Sequence, residues 1–335
     1  MKSAANIFLS IFSFALFFSG GSSHPKKQRA VGIAFYNVEN LFDTLDDKSI
    51  NDNEFLPNGE KKWNTEKYNA KLSRIADALN SISHELPAFV GFAEVENHKV
   101  LEDLATVKLL NRAKYKIVHF DSPDTRGIDV GFFYSKKKVK SVNALSIPVN
   151  TGAENRPTRD ILLVECALKK GPQVYFFINH WPSRYGGQEK TEPKRISASH
   201  TLARHVDSLF SIDPKAIIIA MGDFNDYPEN HSIQDILIGQ RNSKLINLME
   251  TAISEYPGSY SYKNEWGYLD QFVVSKSLVD SVLPEIRSHS TRAYSKPRMI
   301  HKKKNGNDVP NRTYGGKNYY GGYSDHLPIY TELIY

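Results

Sequence analysis

The sequence predicts an α/β fold, and two observations carry that prediction. Short apolar, β-branched runs alternate with segments of helical periodicity, without long blocks of either. Several of the apolar runs also stop abruptly at an acid, an amide or an imidazole, where α/β sheets present chemistry rather than packing. A composition of 40% hydrophobic and 24% charged residues over 335 positions fits an ordinary globular chain.

Taken in order, the first segment reads as a targeting leader. Lys2 gives a basic start, Ile7 to Phe18 is apolar except for Ser10 and Ser13, and the small residues Ser19 to Ser23 follow. The rival reading is a membrane anchor, but the run falls short of the roughly 20 apolar residues a span needs. Cleavage after about Ser23 is therefore expected, with a secreted or periplasmic product and no stable membrane insertion. No cysteine lies near the junction. About 310 residues would remain, enough for one large core, and no repeat or linker divides them.

Val31 to Tyr36 is the first expected strand. Thr44 to Asn64 is polar and turn-rich, a long loop expected beside the mouth of a site. Leu72, Ile75, Ala76, Leu79 and Ile82 then mark one face of an amphipathic helix that Asn64 or Thr65 can cap. A strand over Ala88–Ala93 and a short helix near Val100–Val107 follow, then strands at Tyr115–Phe120, Val130–Tyr134 and Ile161–Leu168. Cys166, the single cysteine, sits in the last of these and reads as a small buried hydrophobe. A helix from about Ser197 to Phe210 precedes the run Ala216–Met221, which is too short and too β-branched for a helix. His200, His205 and His231 fall on that helix or in loops and read as surface residues.

The strand ends hold the chemistry. Ala216–Met221 opens into Gly222-Asp-Phe-Asn225, Val31–Tyr36 into Asn37, Ala88–Ala93 into Glu94, and Val174–Ile178 into Asn179-His180-Trp181. Tyr268-Leu269 leads into Asp270, and Gly322-Tyr-Ser324 into Asp325-His326. Any one of these reads most simply as a turn or cap. Six together do not, because a buried carboxylate is expensive to ionise unless a cation or donor faces it. They point to one shared site around a divalent cation with oxygen ligands.

The ordered strings N-V-E-N, A-E-V, N-H-W, G-D-F-N, L-D-Q-F and S-D-H resemble the endonuclease/exonuclease/phosphatase superfamily, over about Val31 to Tyr335. The resemblance implies a four-layer α/β sandwich like that of deoxyribonuclease I, two packed mixed sheets flanked by helices, with one catalytic domain over residues 24–335. It also implies Mg²⁺, or Mn²⁺, held by Glu94 with Asn37 and Asp325 completing the sphere. Asp223 would position or deprotonate the attacking water and Asn225 would contact phosphate. Asp270 would orient the catalytic His326, and His180 would donate to a phosphoryl oxygen or the leaving group. Which of Asp223 and His326 takes the proton stays open, and for His180 a packed histidine beside Trp181 is the alternative.

Substrate contact is expected from Arg126, in a string R-G-I-D-V, from Arg159 in T-R-D, from Asn179, and from Arg184 on the loop after Trp181. Bidentate phosphate capture favours arginine at such positions; a salt-bridged strand entry pairing Arg126 with Asp129 is the plain alternative. Arg292 to Tyr323 interleaves Lys302 to Lys304, Arg312 and Lys317 with five tyrosines, including Tyr314. Cations and aromatics on one loop suit stacking on bases and pairing with phosphates. With a formal charge of +6 and no apolar membrane finger, the chain reads first as a monomeric, exported nuclease on DNA or RNA. The alternative is a phosphatase or sphingomyelinase-like phospholipase C on a small or lipid phosphoester. A catalytically dead binding module is disfavoured, since every position the chemistry requires holds a competent residue.

Overall fold

The computed structural model describes residues 28–152, 157–239, 244–303 and 306–335. The expected leader, Asn155 and Arg156 of the turn before Arg159, and Lys304 lie outside them. Seven strands make one mixed sheet: β1 (Ala30–Leu41), β2 (Phe89–Val95), β3 (Tyr115–His119), β4 (Asp129–Ser135), β13 (Glu285–Ile286), β14 (Arg292–Ala293) and β19 (Ile329–Ile334). Their order is β13-β19-β1-β2-β4-β3, with β14 also on β19. A second sheet runs β5 (Val139–Ile147), β6 (Ile161–Leu168), β7 (Gln173–His180), β8 (Ile218–Asp223), β12 (Asp270–Ser275), β9 (Leu245–Asn247). Among the described residues only β1–β2 and β7–β8 pair in parallel. Small hairpins β10/β11 (Tyr260–Tyr262, Glu265–Gly267), β15/β16 (Ile300–His301, Val309–Pro310) and β17/β18 (Tyr314–Gly315, Asn318–Tyr319) complete the strands.

The sheets pack face to face. Phe89 on β2 meets Phe176 on β7 with ring centroids 4.7 Å apart, and Phe132 joins them. Gly91 lets them close, since a Cβ there would come within 2.9 Å of Met221 on β8. Each fully buried phenylalanine adds about 1.5–3 kcal/mol of hydrophobic stabilisation. Helices α1 (Thr65–Ser81) and α2 (His98–Thr106), with the single turn α3 (Lys108–Asn111), cover the outer face of the first sheet. Helix α4 (Gln188–Ile212) covers the second through Ala198, Leu202, Val206 and Phe210. Helix, sheet, sheet, helix is the expected four-layer sandwich.

Local chemistry explains most boundaries. The Asn64 side chain accepts the Lys67 N–H and starts α1, whose Leu72, Ile75, Ala76 and Leu79 are buried as the periodicity predicts. Helix α4 begins at Gln188, a good two turns ahead of the predicted Ser197, although Pro193 lies inside it. Arg195 compensates: its buried guanidinium donates to Gln188 O at 3.0 Å and Thr191 Oγ1 at 2.8 Å, tying the first turns together. Strand β8 starts at Ile218, whose N–H goes to Ser275 Oγ, so the run Ala216–Met221 is only partly strand. The loop after β1 folds back, burying Phe55 and Trp63, and lines a separate hollow that shares only Arg126 with the site below. Among the described residues no helix is long and apolar enough to cross a membrane.

Candidate active site

Strand register gathers the chemistry. Asp223 at the end of β8 lies opposite His180 of β7 and opposite Asp270 of β12, so the three side chains share one face at one end of the second sheet. Gly222 makes this approach possible, because a Cβ there would fall 2.3 Å from the Asn179 carbonyl oxygen. In the first sheet, β1 carries Asn37, and a bulge in β2 between Ala93 and Val95 turns Glu94 towards the same end. Glu94 (φ +64°) and Asn225 (φ +50°) both hold a left-handed backbone, strain of the kind concentrated at working sites.

The Asn37 amide joins the sheets: Nδ2 donates to Asp223 Oδ2 at 3.0 Å and to Glu94 Oε1 at 3.4 Å. Glu94 Oε2 accepts the Asn40 N–H at 2.9 Å, and Asp223 Oδ1 accepts the Asn225 N–H at 2.9 Å. Just before β19, His326 Nδ1 lies 2.7 Å from Asp270 Oδ2, an oxygen that also accepts the Ser259 hydroxyl at 2.6 Å. His326 Nε2 is 3.8 Å and His180 Nε2 3.7 Å from Asp223 Oδ2, with His180 also 3.8 Å from Glu94. One carboxylate oxygen of Asp223 is thus faced by an amide and two imidazoles.

Burial alone would strip the charge from both imidazoles. At His326 the fully buried Asp270 and then Asp223 and Asp325 outweigh it, holding the ring cationic well above the usual histidine range. At His180 burial prevails and Arg159 reinforces it, so this ring stays uncharged. Burial pushes Asp223 up to about 7 against the pull of His326, and burial and then Glu39 raise Asp325. Glu94, Asp223 and Asp325 all line the cleft, hard carboxylate oxygens that fit a small divalent cation, while Asn37 packs behind with Nδ2 on Asp223 and Glu94 and Oδ1 accepting the Glu39 N–H at 3.1 Å. Asp270 is withheld from that role by His326 and Ser259.

The cleft encloses about 670 Å³ and is lined by Arg126, His180, Arg184, Asp325 and His326 together with Tyr185, Tyr227, Tyr260 and Tyr262. Four expected contacts lie elsewhere or are already committed. Asn179 is fully buried, its Nδ2 on the Phe177 carbonyl and its Oδ1 on the Trp181 indole, so it props the strand end from beneath. Tyr314 packs against Trp63 and Tyr319 and donates to Lys61 O, away from the cleft, with the rest of the β17/β18 hairpin. Arg159 is buried beneath the strand end: it pairs with Asp124 at 2.8 Å and donates to the carbonyls of His180 and Trp181. Arg184 lines the cleft but is held by Asn225 O, Asp226 and Asn230 and stacks on Tyr227. Arg126 reaches the rim half-exposed; its partner is Asp124 at 3.4 Å rather than Asp129, which is taken by Ser122 and His119. Asn225 lines the cleft while its Nδ2 holds Trp181 O at 3.0 Å. Asp325 bonds Arg312 at 2.9 Å.

Several residues in and around the site are not among those the sequence singles out. Tyr260 packs on the His326 ring at 4.7 Å with the planes tilted by 35° and bridges its backbone, Ser259 buttresses Asp270, and Lys263 joins the rim. Buried Asp226 anchors Arg184, Arg195 and Ser232, fixing the loop after Asn225. Glu39, inside the N-V-E-N string, accepts the N–H groups of Thr313 and Tyr314 and pins the segment leading to Asp325. The alternation of Tyr260-Ser261-Tyr262 just before Asp270 was the only available clue.

The same architecture recurs in solved structures. An endonuclease/exonuclease/phosphatase family protein from Bacteroides thetaiotaomicron superposes with a TM-score of 0.56 at 13% identity, covering 92% of this chain and 98% of that one. A mannosyl-6-phosphatase from the same organism gives 0.56 at 14%, covering 91% and 100%. The human Nocturnin catalytic domain, with bound sulfate, gives 0.53 at 16%, covering 91% and 94%. At such identities the likeness speaks for the fold alone. Among curated proteins none matches the chain. The family model for the Endonuclease/Exonuclease/phosphatase family matches residues 32–334. A match of that extent takes in every strand end that lines the cleft, and the chain belongs to the Endonuclease/Exonuclease/phosphatase family.

Proposed function

We propose that the protein is an exported, divalent-metal-dependent phosphodiesterase that hydrolyses nucleic acid. The family comprises endonucleases, exonucleases and phosphatases, all of which cleave phosphoester bonds. The observation that carries the finer reading is the convergence of Asn37, His180 and His326 on Asp223 Oδ2 inside a cleft rimmed by four tyrosines, Arg126 and Lys263. Tyrosines offer faces on which bases stack, and the cations suit a phosphate backbone.

Glu94, Asp325 and Asn37 would hold Mg²⁺ or Mn²⁺, which when bound polarises a phosphoryl oxygen and stabilises charge on the leaving oxygen. Asp223 accepts the proton of the attacking water at Oδ2, its other oxygen being fixed by the Asn225 N–H. Asp270 beside Nδ1 favours the cationic ring, and in this reading His326 presents an Nε2–H to the phosphoryl group. His180, uncharged, adds a second donor at Nε2. The basic and apolar leader supports export, and a single catalytic domain acting as a monomer completes the reading.

The test uses protein lacking residues 1–23 with supercoiled plasmid, single-stranded RNA and sphingomyelin, in Mg²⁺, Mn²⁺ or EDTA, beside His326→Ala. Metal-dependent cleavage of a nucleic acid, lost in the variant, is expected. Turnover of the lipid alone would overturn the substrate. The enclosed volume of about 670 Å³ favours one second reading, a phosphatase on a sugar or nucleotide phosphate; release of inorganic phosphate from such a monoester, with no nucleic acid cut, would establish it.

A further inference from the structure

A second cleft adjoins the catalytic one. It encloses about 420 Å³ and shares Arg126, Ser183 and Tyr185 with its neighbour, so the two are continuous across one rim. Its chemistry is that of an anion site without catalytic groups. Among the described residues, Arg126, Arg159 and Lys194 line it against one carboxylate, Asp124, which is already claimed by both arginines at 2.8 and 3.4 Å.

Three further features mark it as built. The Thr158 hydroxyl on its wall is buried, in a residue only 6% exposed, and has no hydrogen-bond partner among the described residues. A buried donor left unmade is costly, and an oxyanion would relieve it. Arg159 is 5% exposed and spends three N–H groups on Asp124 and on the carbonyls of His180 and Trp181. A guanidinium has five, so two stay available on the side chain that lines the cleft. Lys194, on the second turn of α4 and half-buried, has no carboxylate partner among the described residues.

We propose that this cleft is a second phosphate subsite, formed by Arg126, Thr158, Arg159 and Lys194, which selects substrates carrying another phosphate next to the scissile one. The inference rests on the phosphoesterase reading of the adjoining cleft. The second phosphate could belong to the next linkage of a polynucleotide or to the other end of a small bisphosphate. The Arg159 contacts to His180 O and Trp181 O also tie this subsite to the strand end that carries His180.

The experiment compares wild type with Lys194→Gln and Thr158→Val, both chosen because neither removes the buried Arg159. Kinetics are read on TpT against TpTpT, and on glucose 1-phosphate against glucose 1,6-bisphosphate. The subsite predicts that the two-phosphate substrate of a pair is preferred, and that each variant lowers this preference about tenfold in kcat/KM, as expected for hydrogen bonds to a charged group. The pair that shows the effect identifies the source of the phosphate. An unchanged preference in both variants, with turnover intact, overturns the subsite and leaves the proposed function standing. If no substrate is turned over, the proposed function fails, and sulfate titration by calorimetry in EDTA decides the subsite: weaker binding by the variants supports it, and binding equal to wild type overturns it.

Discussion

Replacing Asp270 by asparagine isolates the group that makes His326 a cation. The Asp270 carboxylate is fully buried, 2.7 Å from His326 Nδ1, and further fixed by the Ser259 hydroxyl at 2.6 Å. Asparagine keeps the shape but removes the charge, so His326 loses the partner that offsets its burial and becomes uncharged near neutral pH. A hydrogen bond to a charged group contributes about 1.5–3 kcal/mol, and each 1.36 kcal/mol is tenfold in rate, so kcat should fall roughly 10- to 150-fold from this loss alone. If the amide also imposes the wrong tautomer, the loss extends towards the 10⁴-fold ceiling of acid–base catalysis. The assay is metal-dependent phosphodiester hydrolysis, with the Mg²⁺ concentration for half-maximal rate measured alongside. That concentration should barely move, since Asp270 is turned towards His326 and Ser259. A kcat within threefold of wild type, in protein with an unchanged circular dichroism spectrum, would refute the role given to the pair.

Glu94→Gln removes a charged ligand and should raise the half-maximal Mg²⁺ concentration at least tenfold, measured by metal titration of activity. Arg159→Met should lower stability by about 3–5 kcal/mol in urea unfolding, because it strands buried Asp124 and two carbonyls. At Asp124 burial raises the pKa, but Arg159 and Arg126 outweigh it and hold the carboxyl below the usual range. Its contribution is therefore present above the unfolded value near pH 4 and lost as pH falls through the folded one, so the gap between wild type and Arg159→Met should narrow in acid. Burial pushes the Cys166 thiol up to about 12, so a disulfide reagent at pH 8 should leave it unlabelled until urea unfolds the chain; rapid labelling of native protein would contradict its burial. Gly222→Ala would place a methyl 2.3 Å from the Asn179 oxygen, and should cost about 1–3 kcal/mol and lower activity by displacing Asp223, checked by thermal melting and kinetics.

What the sequence by itself determined is local: where apolar runs make strands, which face of α1 is buried, and which polar groups stand at strand ends. Asn37, Glu94, His180 and Asp223 were legible because each follows a run whose own pattern demands burial, and Asp270, Asp325 and His326 because they complete the ordered strings. The extra turns of α4 were not, because Pro193 argues against a helix and only the buried Arg195, held by Asp226 from another loop, overrides it. The substrate rim was misplaced for a related reason. Arg292 to Tyr323 has the right composition, but composition carries no direction, and Glu39 pins the Thr313–Tyr314 backbone so that Tyr314 packs towards Trp63 and Lys61. The aromatic on His326 comes instead from Tyr260, whose hairpin also carries Tyr262 to the cleft, on a segment with no basic cluster to mark it. Only the tertiary structure decided which charges meet. Register sets Asp223 between His180 and Asp270, and burial with its neighbours leaves one histidine cationic and the other neutral, an outcome that depends on distances between residues dozens to hundreds of positions apart.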